Sequence, residues 1–319
     1  MIRKERPLFL LMILLASTFS RSTEPSQYHS REPDEVRVLM VGDSWSDYMW
    51  FDLTMRRLFA LKGFPHILEE GGQTAISGSK AAEWTQPSML QLITDELITF
   101  PTIDVVQLSI GGNDFLEGQP DGWYLGMTPE EESALFDRIL LDIDTVVQHI
   151  FQVDPDMNIV IGGYDYPNFE DSRTGLGGLF CTPYWQDLGQ PLPFDINTAM
   201  TTFEDMWSDY ADTLPRLTYI RSLGTMQFVY GYEPLSIPPG ALTPPGDLSL
   251  PSDMQAMRLG MDCFHLSTAG YDAFALNFWN GFYGSFFCSP FSSFLESLPT
   301  WNQENSVLEL CRDINHLCP

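Results

Sequence analysis

The chain has 319 residues, with 16 Lys and Arg against 43 Asp and Glu, a formal net charge of −27 and a pI near 4.2. That balance excludes a nucleic-acid binder working by phosphate neutralisation, which needs clustered Lys and Arg, and disfavours docking on an anionic membrane surface. Hydrophobic residues make up 44% of the chain, with 22 Phe, 8 Trp and 12 Tyr, enough to build a sizeable core despite the charge.

In chain order, the first feature is the basic stretch Met1-Ile2-Arg3-Lys4-Glu5-Arg6, followed by an apolar run over residues 7–16. A basic segment and a short apolar run make residues 1–20 read as a secretory signal, too short to span a bilayer comfortably. An uncleaved anchor is the alternative. Thr18 and Ser20 offer small residues for cleavage, and no Cys lies nearby to carry a lipoprotein anchor. Losing residues 1–20 removes Arg3, Lys4, Arg6 and Glu5, which takes the charge from −27 to −29. No later apolar run is long enough to span a bilayer, so the mature chain is expected to be secreted or periplasmic, with no stable membrane insertion. Residues 21–35, polar and bearing Pro25 and Pro33, read as a disordered lead-in. Residues 36–319 read as one domain with a C-terminal extension from about residue 288, since no internal repeat or second cluster of strands is present.

Residues 36–41 (V-R-V-L-M-V) read as a strand that ends in the turn Gly42-Asp43-Ser44. Residues 45–62 carry helical spacing closed by Gly63, and residues 66–69 form a brief second strand before Gly71-Gly72. A helix over 87–100 leads to a β-branched strand at 104–110, which ends in Gly111-Gly112-Asn113-Asp114. Thr128-Pro129-Glu130-Glu131 is a helix start, with an N-cap, Pro at the first position and early acids, for a helix running to about Val153. A strand at 157–162, a helix over 195–214, a last strand at 217–221, a Pro- and Gly-rich loop over 234–251 and a helix over 268–287 follow. Strands of five or six residues alternating with helices predict an α/β fold with a parallel sheet covered on both faces.

Five cysteines, Cys181, Cys263, Cys288, Cys311 and Cys318, fit an oxidising compartment, and Cys311 with Cys318 is the first choice for a local bridge. No C-x-x-C or H-E-x-x-H occurs, so neither a structural zinc nor a zincin site is indicated.

In α/β sheets ligands bind beyond the carboxyl ends of the strands, where the turns at 42–44 and 111–114 fall. A Ser there, at a helix N-terminus, can stabilise an oxyanion through its backbone N–H, but as a nucleophile it needs a base, and the base an orienting carboxylate. Taken alone, Gly42-Asp43-Ser44 favours the plainer reading that Ser44 simply caps the helix. Of the five His, His29 lies in the lead-in, His66 opens a strand and His149 sits inside a helix, while His265 and His316 each follow an Asp by three residues, Asp262 and Asp313. That spacing lets a turn hold a carboxylate against Nδ1 while Nε2 faces the nucleophile. His316 lies near the terminus, and His265, between the Pro-rich loop and a helix, is better placed.

Gly42-Asp43-Ser44, Gly78 within Ile76-Ser77-Gly78-Ser79, Gly111-Gly112-Asn113-Asp114 and Asp262-Cys263-Phe264-His265 resemble, in order, the four sequence blocks of the SGNH (GDSL-type) hydrolases. The resemblance implies a flavodoxin-like three-layer α/β/α sandwich and ester hydrolysis with neither metal nor cofactor. It implies Ser44 as nucleophile, His265 as general base and then acid, and Asp262 as its orienter. The oxyanion hole would combine the backbone N–H of Ser44, the backbone N–H of Gly78 and the side-chain amide of Asn113. Trp45 and Leu266 depart from the residues usual after the family's Ser and His. The nucleophile elbow G-x-S-x-G is absent.

The aromatic, Gly/Pro-bearing stretch 164–194 is expected either to wall a substrate pocket or to be a structural loop held by Cys181. The partner is a small-molecule, lipid or carbohydrate ester. Three readings stand: an esterase or lipase, a carbohydrate O-acetylesterase on the same site, and a non-catalytic binding module that kept the fold.

Overall fold

The computed structural model describes residues 33–288. The signal segment, nearly all of the lead-in, His29, His316, Cys311, Cys318 and the C-terminal extension lie outside the described residues.

The elements run β1 (Glu35–Gly42), α1 (Ser44–Phe51), α2 (Thr54–Leu61), β2 (Ile67–Glu70), α3 (Ala81–Trp84), α4 (Pro87–Thr99), β3 (Val105–Ser109) and α5 (Gly112–Leu116). They continue with α6 (Pro129–Val153), β4 (Asn158–Gly162), α7 (Phe169–Ser172), α8 (Gly178–Asp187), α9 (Pro193–Ala211), β5 (Leu217–Ile220), α10 (Thr225–Tyr230) and α11 (Thr268–Phe278). The five strands form one sheet in the order β2-β1-β3-β4-β5, and every pair is parallel. This is the flavodoxin-like doubly wound order, whose reversal point lies between β1 and β3.

Alternation along the strands builds two cores, one on each face. Leu39 and Val41, Val106 and Leu108, and Ile159 and Ile161 face a layer made by α3, α4, α6 and α9. Val38 and Met40, Val105 and Val160 face α1, α2, α10 and α11. The result is a three-layer α/β/α sandwich. No described helix is long and apolar enough to cross a membrane.

The expected start of α6 is present in full: the Thr128 hydroxyl accepts from the Glu131 N–H at 3.2 Å, and the Glu131 carboxylate accepts from the Thr128 N–H at 2.8 Å. Three expectations need correction. The helix over 45–62 is two helices, because Leu53 takes φ 55° and breaks the hydrogen-bond ladder between α1 and α2. The helix over 268–287 is helical throughout but not uniform: α11 passes into a π-type turn at Trp279–Tyr283, and α-helix resumes over 284–288. The stretch 164–194 is not mere loop, since it holds α7, α8 and the start of α9.

Candidate active site

The turn after β1 is shaped by a close approach. Gly42 has φ 138°, and a Cβ there would lie 2.0 Å from the carbonyl oxygen of Ser109 on β3, so only glycine fits. Asp43 then caps α1, its Oδ1 accepting from the Trp45 N–H at 2.9 Å, and Ser44 becomes the first residue of the helix. Trp45 fills the core beneath, edge-on to Tyr164, Tyr271 and Phe274 at 5.3, 5.4 and 5.0 Å. Its side chain anchors the turn, which accounts for a large aromatic after the serine.

His265 arrives from the loop before α11. Its Nε2 lies 2.8 Å from Ser44 Oγ, and its Nδ1 lies 2.9 Å from Asp262 Oδ2. The other carboxylate oxygen of Asp262 accepts the backbone N–H groups of Phe264 at 2.8 Å and His265 at 3.0 Å, so the turn holds the acid rigidly. Burial alone would raise the Asp262 carboxyl, but the hydrogen bond and charge of His265, together with these two amides, outweigh it and leave the group below its usual value. Tyr48 stands edge-on against the imidazole at 4.9 Å, and the Arg258 guanidinium covers Tyr48 at 3.9 Å.

A cleft of 290 Å³ opens over the pair, and Ser44, Gly78, Asn113 and His265, drawn from all four motif blocks, are among the residues that line it. Gly78 has φ 81°, a conformation that favours glycine. Asn113 Nδ2 donates to the Ser79 carbonyl at 2.9 Å, which spends one of its two amide hydrogens and ties its block to the neighbouring one. Asp114 adds a second tie by accepting the Ala81 N–H at 2.7 Å.

Tyr164 carries the least expected geometry. At the end of β4, its hydroxyl donates to Asp43 Oδ2 at 2.6 Å and accepts from the Gly112 N–H at 2.8 Å. Burial pushes the Asp43 carboxyl up to about 6, against the opposing hydrogen bonds from Tyr164 and Trp45. Burial, with the charge of Asp43, likewise raises Tyr164 well above the ordinary phenol value, so the hydroxyl keeps its proton. Position beyond a strand end was the only signal for this residue in the sequence.

Cys181 of α8 is bonded to Cys263, within the Asp262–His265 turn. Sequence reading favoured only a local pair, because two cysteines 82 residues apart leave no mark of their partnership. Tyr164 and Tyr184 line the cleft, and Tyr184 packs edge-on against Phe264 at 5.2 Å. The stretch 164–194 therefore supplies pocket wall and is also pinned by Cys181.

No family model and no curated protein matches the chain. Among solved structures, it is similar to a family 3 carbohydrate esterase from Clostridium thermocellum, at 18% identity and a TM-score of 0.41, covering 77% of this chain and 94% of that one. It is also similar to a lipase from a goat rumen metagenome, at 12% identity and a TM-score of 0.42, covering 78% and 98%. A third likeness is to the periplasmic domain of a lipopolysaccharide acetyltransferase from Salmonella ser. Paratyphi A, at 13% identity and a TM-score of 0.45, covering 78% and 84%. The fold of the chain is the flavodoxin-like α/β/α sandwich that the resemblance of its motifs to the SGNH blocks implies, with two residues of each motif at a single cleft beyond the strand ends.

Proposed function

We propose that the protein hydrolyses carboxylic esters by a serine mechanism of the SGNH type. The observation that carries the reading is the unbroken line from Asp262 through His265 to Ser44, at 2.9 and 2.8 Å, opening on the cleft.

In this mechanism Ser44 Oγ attacks the ester carbonyl carbon while its proton passes to His265 Nε2. Asp262 holds the imidazole and stabilises its positive charge. The carbonyl oxygen becomes an oxyanion, which the backbone N–H groups of Ser44 and Gly78 and the remaining amide hydrogen of Asn113 receive. Collapse of this intermediate breaks the carbon–oxygen bond to the alcohol, which leaves with the proton from His265. Water then attacks the acyl-serine by the same route, His265 taking its proton and returning one to Ser44 as the acid departs.

Acetylated carbohydrate is the second substrate reading, supported by Tyr48, Tyr184 and Phe264 around the cleft, whose ring faces suit sugars as well as acyl chains. An inert binding module has no use for a serine, histidine and aspartate in hydrogen-bonded line.

The deciding experiment is turnover of p-nitrophenyl esters and acetylated sugars by the wild type beside Ser44→Ala. The expected result is ester turnover that Ser44→Ala abolishes, with a fall of about 10⁶-fold in kcat, the scale seen when a serine nucleophile is removed. Activity that survives Ser44→Ala would remove the mechanism. Inactivity of the wild type on all of these esters would favour the binding module.

A further inference from the structure

Beside the cleft lies a second, smaller cavity of 40 Å³. Trp45, Gly112, Leu116, Tyr164 and Phe264 line both spaces, so the two share one wall. The remaining boundary of the small cavity is mainly aromatic and aliphatic, with Phe203, Trp207, Tyr219, Leu223 and the half-buried Met200. Phe203 and Trp207 meet edge-on at 5.7 Å, and the Tyr219 hydroxyl fills the space above Gly163, where a Cβ would lie 2.2 Å from it. These groups belong to the packed core around β5 and α9, which makes the boundary firm.

Two acids, Asp165 and Glu204, also line the cavity, and both are already occupied. Asp165 accepts the N–H groups of Tyr166, Gly224 and Met226 at 2.8, 2.7 and 2.6 Å, and Glu204 accepts that of Ser222 at 2.9 Å. No Lys, Arg or His lines the space. A negatively charged group entering it would meet two carboxyls and no basic side chain on the lining, the Arg221 guanidinium 3.5 Å from Glu204 lying outside it, whereas a hydrocarbon chain would meet surface of its own kind.

We propose that this cavity receives the acyl chain of the ester and restricts the enzyme to short, uncharged acyl groups. The inference rests on the ester-hydrolase reading and names the substrate class for that site. A water-sized group needs about 10–15 Å³ of such space, so 40 Å³ holds about three of them, the size of a butyryl tail. The alcohol part of the ester stays in the larger, open cleft, where its size is little constrained.

The test is kcat/KM for p-nitrophenyl acetate, butyrate, octanoate and laurate and for a succinate monoester, with wild type, Met200→Ala and Met200→Phe. Met200 is half-buried, so both variants are expected to fold, which circular dichroism checks. Wild type should be fastest on butyrate, slower by about tenfold or more on octanoate, the scale of a misfitting apolar pocket, and slowest on succinate. Met200→Ala should move the optimum towards octanoate, and Met200→Phe towards acetate. An unchanged chain-length profile in both folded variants, or a wild type fastest on laurate, would overturn the proposal while leaving the serine mechanism intact.

Ser44→Ala run on the same esters separates the two claims, because activity surviving in it removes the mechanism whatever the chain preference. Binding gives a readout that does not need turnover. Butylboronic acid, which bonds to a serine oxygen, should quench the tryptophan fluorescence at a concentration about tenfold below octylboronic acid. Equal affinity for the two would overturn the short-chain pocket even in a protein that hydrolyses no ester.

Discussion

Tyr164 shows how one hydroxyl can set the distance between two motifs. It donates to Asp43, beside the proposed nucleophile, and accepts from Gly112, beside Asn113. Tyr164→Phe leaves a buried carboxylate oxygen and a backbone N–H without this partner, each typically costing about 1–3 kcal/mol. The residue touches neither reacting atom, so it acts by positioning. Steady-state kinetics of Tyr164→Phe should show kcat lowered about tenfold, the equivalent of about 1.4 kcal/mol, with KM within about twofold of wild type. An unchanged kcat, or a loss confined to KM, would deny Tyr164 that role. Ser44, Asn113, Asp262 and His265 were legible in the sequence because each obeys a local rule: a turn at a strand end, or an acid three residues before its imidazole. Tyr164 obeys none, since both its partners arrive from other strands, 121 and 52 residues away.

Among elements, α8 has the firmest link to the proposed chemistry. Its Cys181 is bonded to Cys263, two residues before His265 in the chain, and the Cys181–Cys263 loop spans 82 residues. In the chain-entropy view, a loop of that length contributes about 4.5 kcal/mol by restricting the unfolded chain. Replacing both cysteines with alanine should lower Tm by on the order of 10 °C. It should also lower kcat, because the turn that presents His265 loses its tie to α8. Calorimetry beside ester kinetics checks both, and a variant matching wild type in each would reduce the bridge to ornament. The long elements could be read from sequence, because Ile139, Ile143, Val147 and Ile150 repeat at helical spacing over α6, and β3 carries Val105, Val106 and Leu108 in a short run that ends before a Gly-rich turn. The short helices α3, α7 and α10, of 4, 4 and 6 residues, have no room for a period to show. The break at Leu53 was equally hidden, since a left-handed leucine is imposed by what surrounds it; Asp52, next to it, accepts from Arg258 at 3.1 Å and Thr268 at 2.9 Å.

For the molecule as a whole, the excess of acids reaches beyond the surface. Burial pushes Asp43 up to about 6 and Asp165 to about 7, and raises Glu69, Asp114 and Glu204 as well, while among the described residues Asp262 alone of the shifted acids is lowered. A raised carboxyl keeps a proton in the folded state that the unfolded chain releases near pH 4. Its contribution to stability is therefore full below about pH 4 and is lost as pH rises through 6 for Asp43 and 7 for Asp165. The lowered Asp262 works in the opposite sense and loses its contribution as pH falls. The net expectation is a Tm that declines from pH 5 to pH 8. Asp165→Asn, which resembles the neutral acid, should flatten that decline, and a wild-type Tm that is level or rising over the range would contradict the assignment. The net charge of −27 adds self-repulsion in the same direction, relieved by salt.

Ser44 and His265 stand 221 residues apart in the chain and 2.8 Å apart in space. At a synthesis rate of about 5–20 residues per second, the ribosome delivers the serine roughly 11–44 s before its histidine. Through that interval the growing chain carries a hydroxyl with no base beside it, as inert as any other serine. The proposed reactive centre forms only once the turn carrying His265 docks, after most of the described scaffold that aims it has been made.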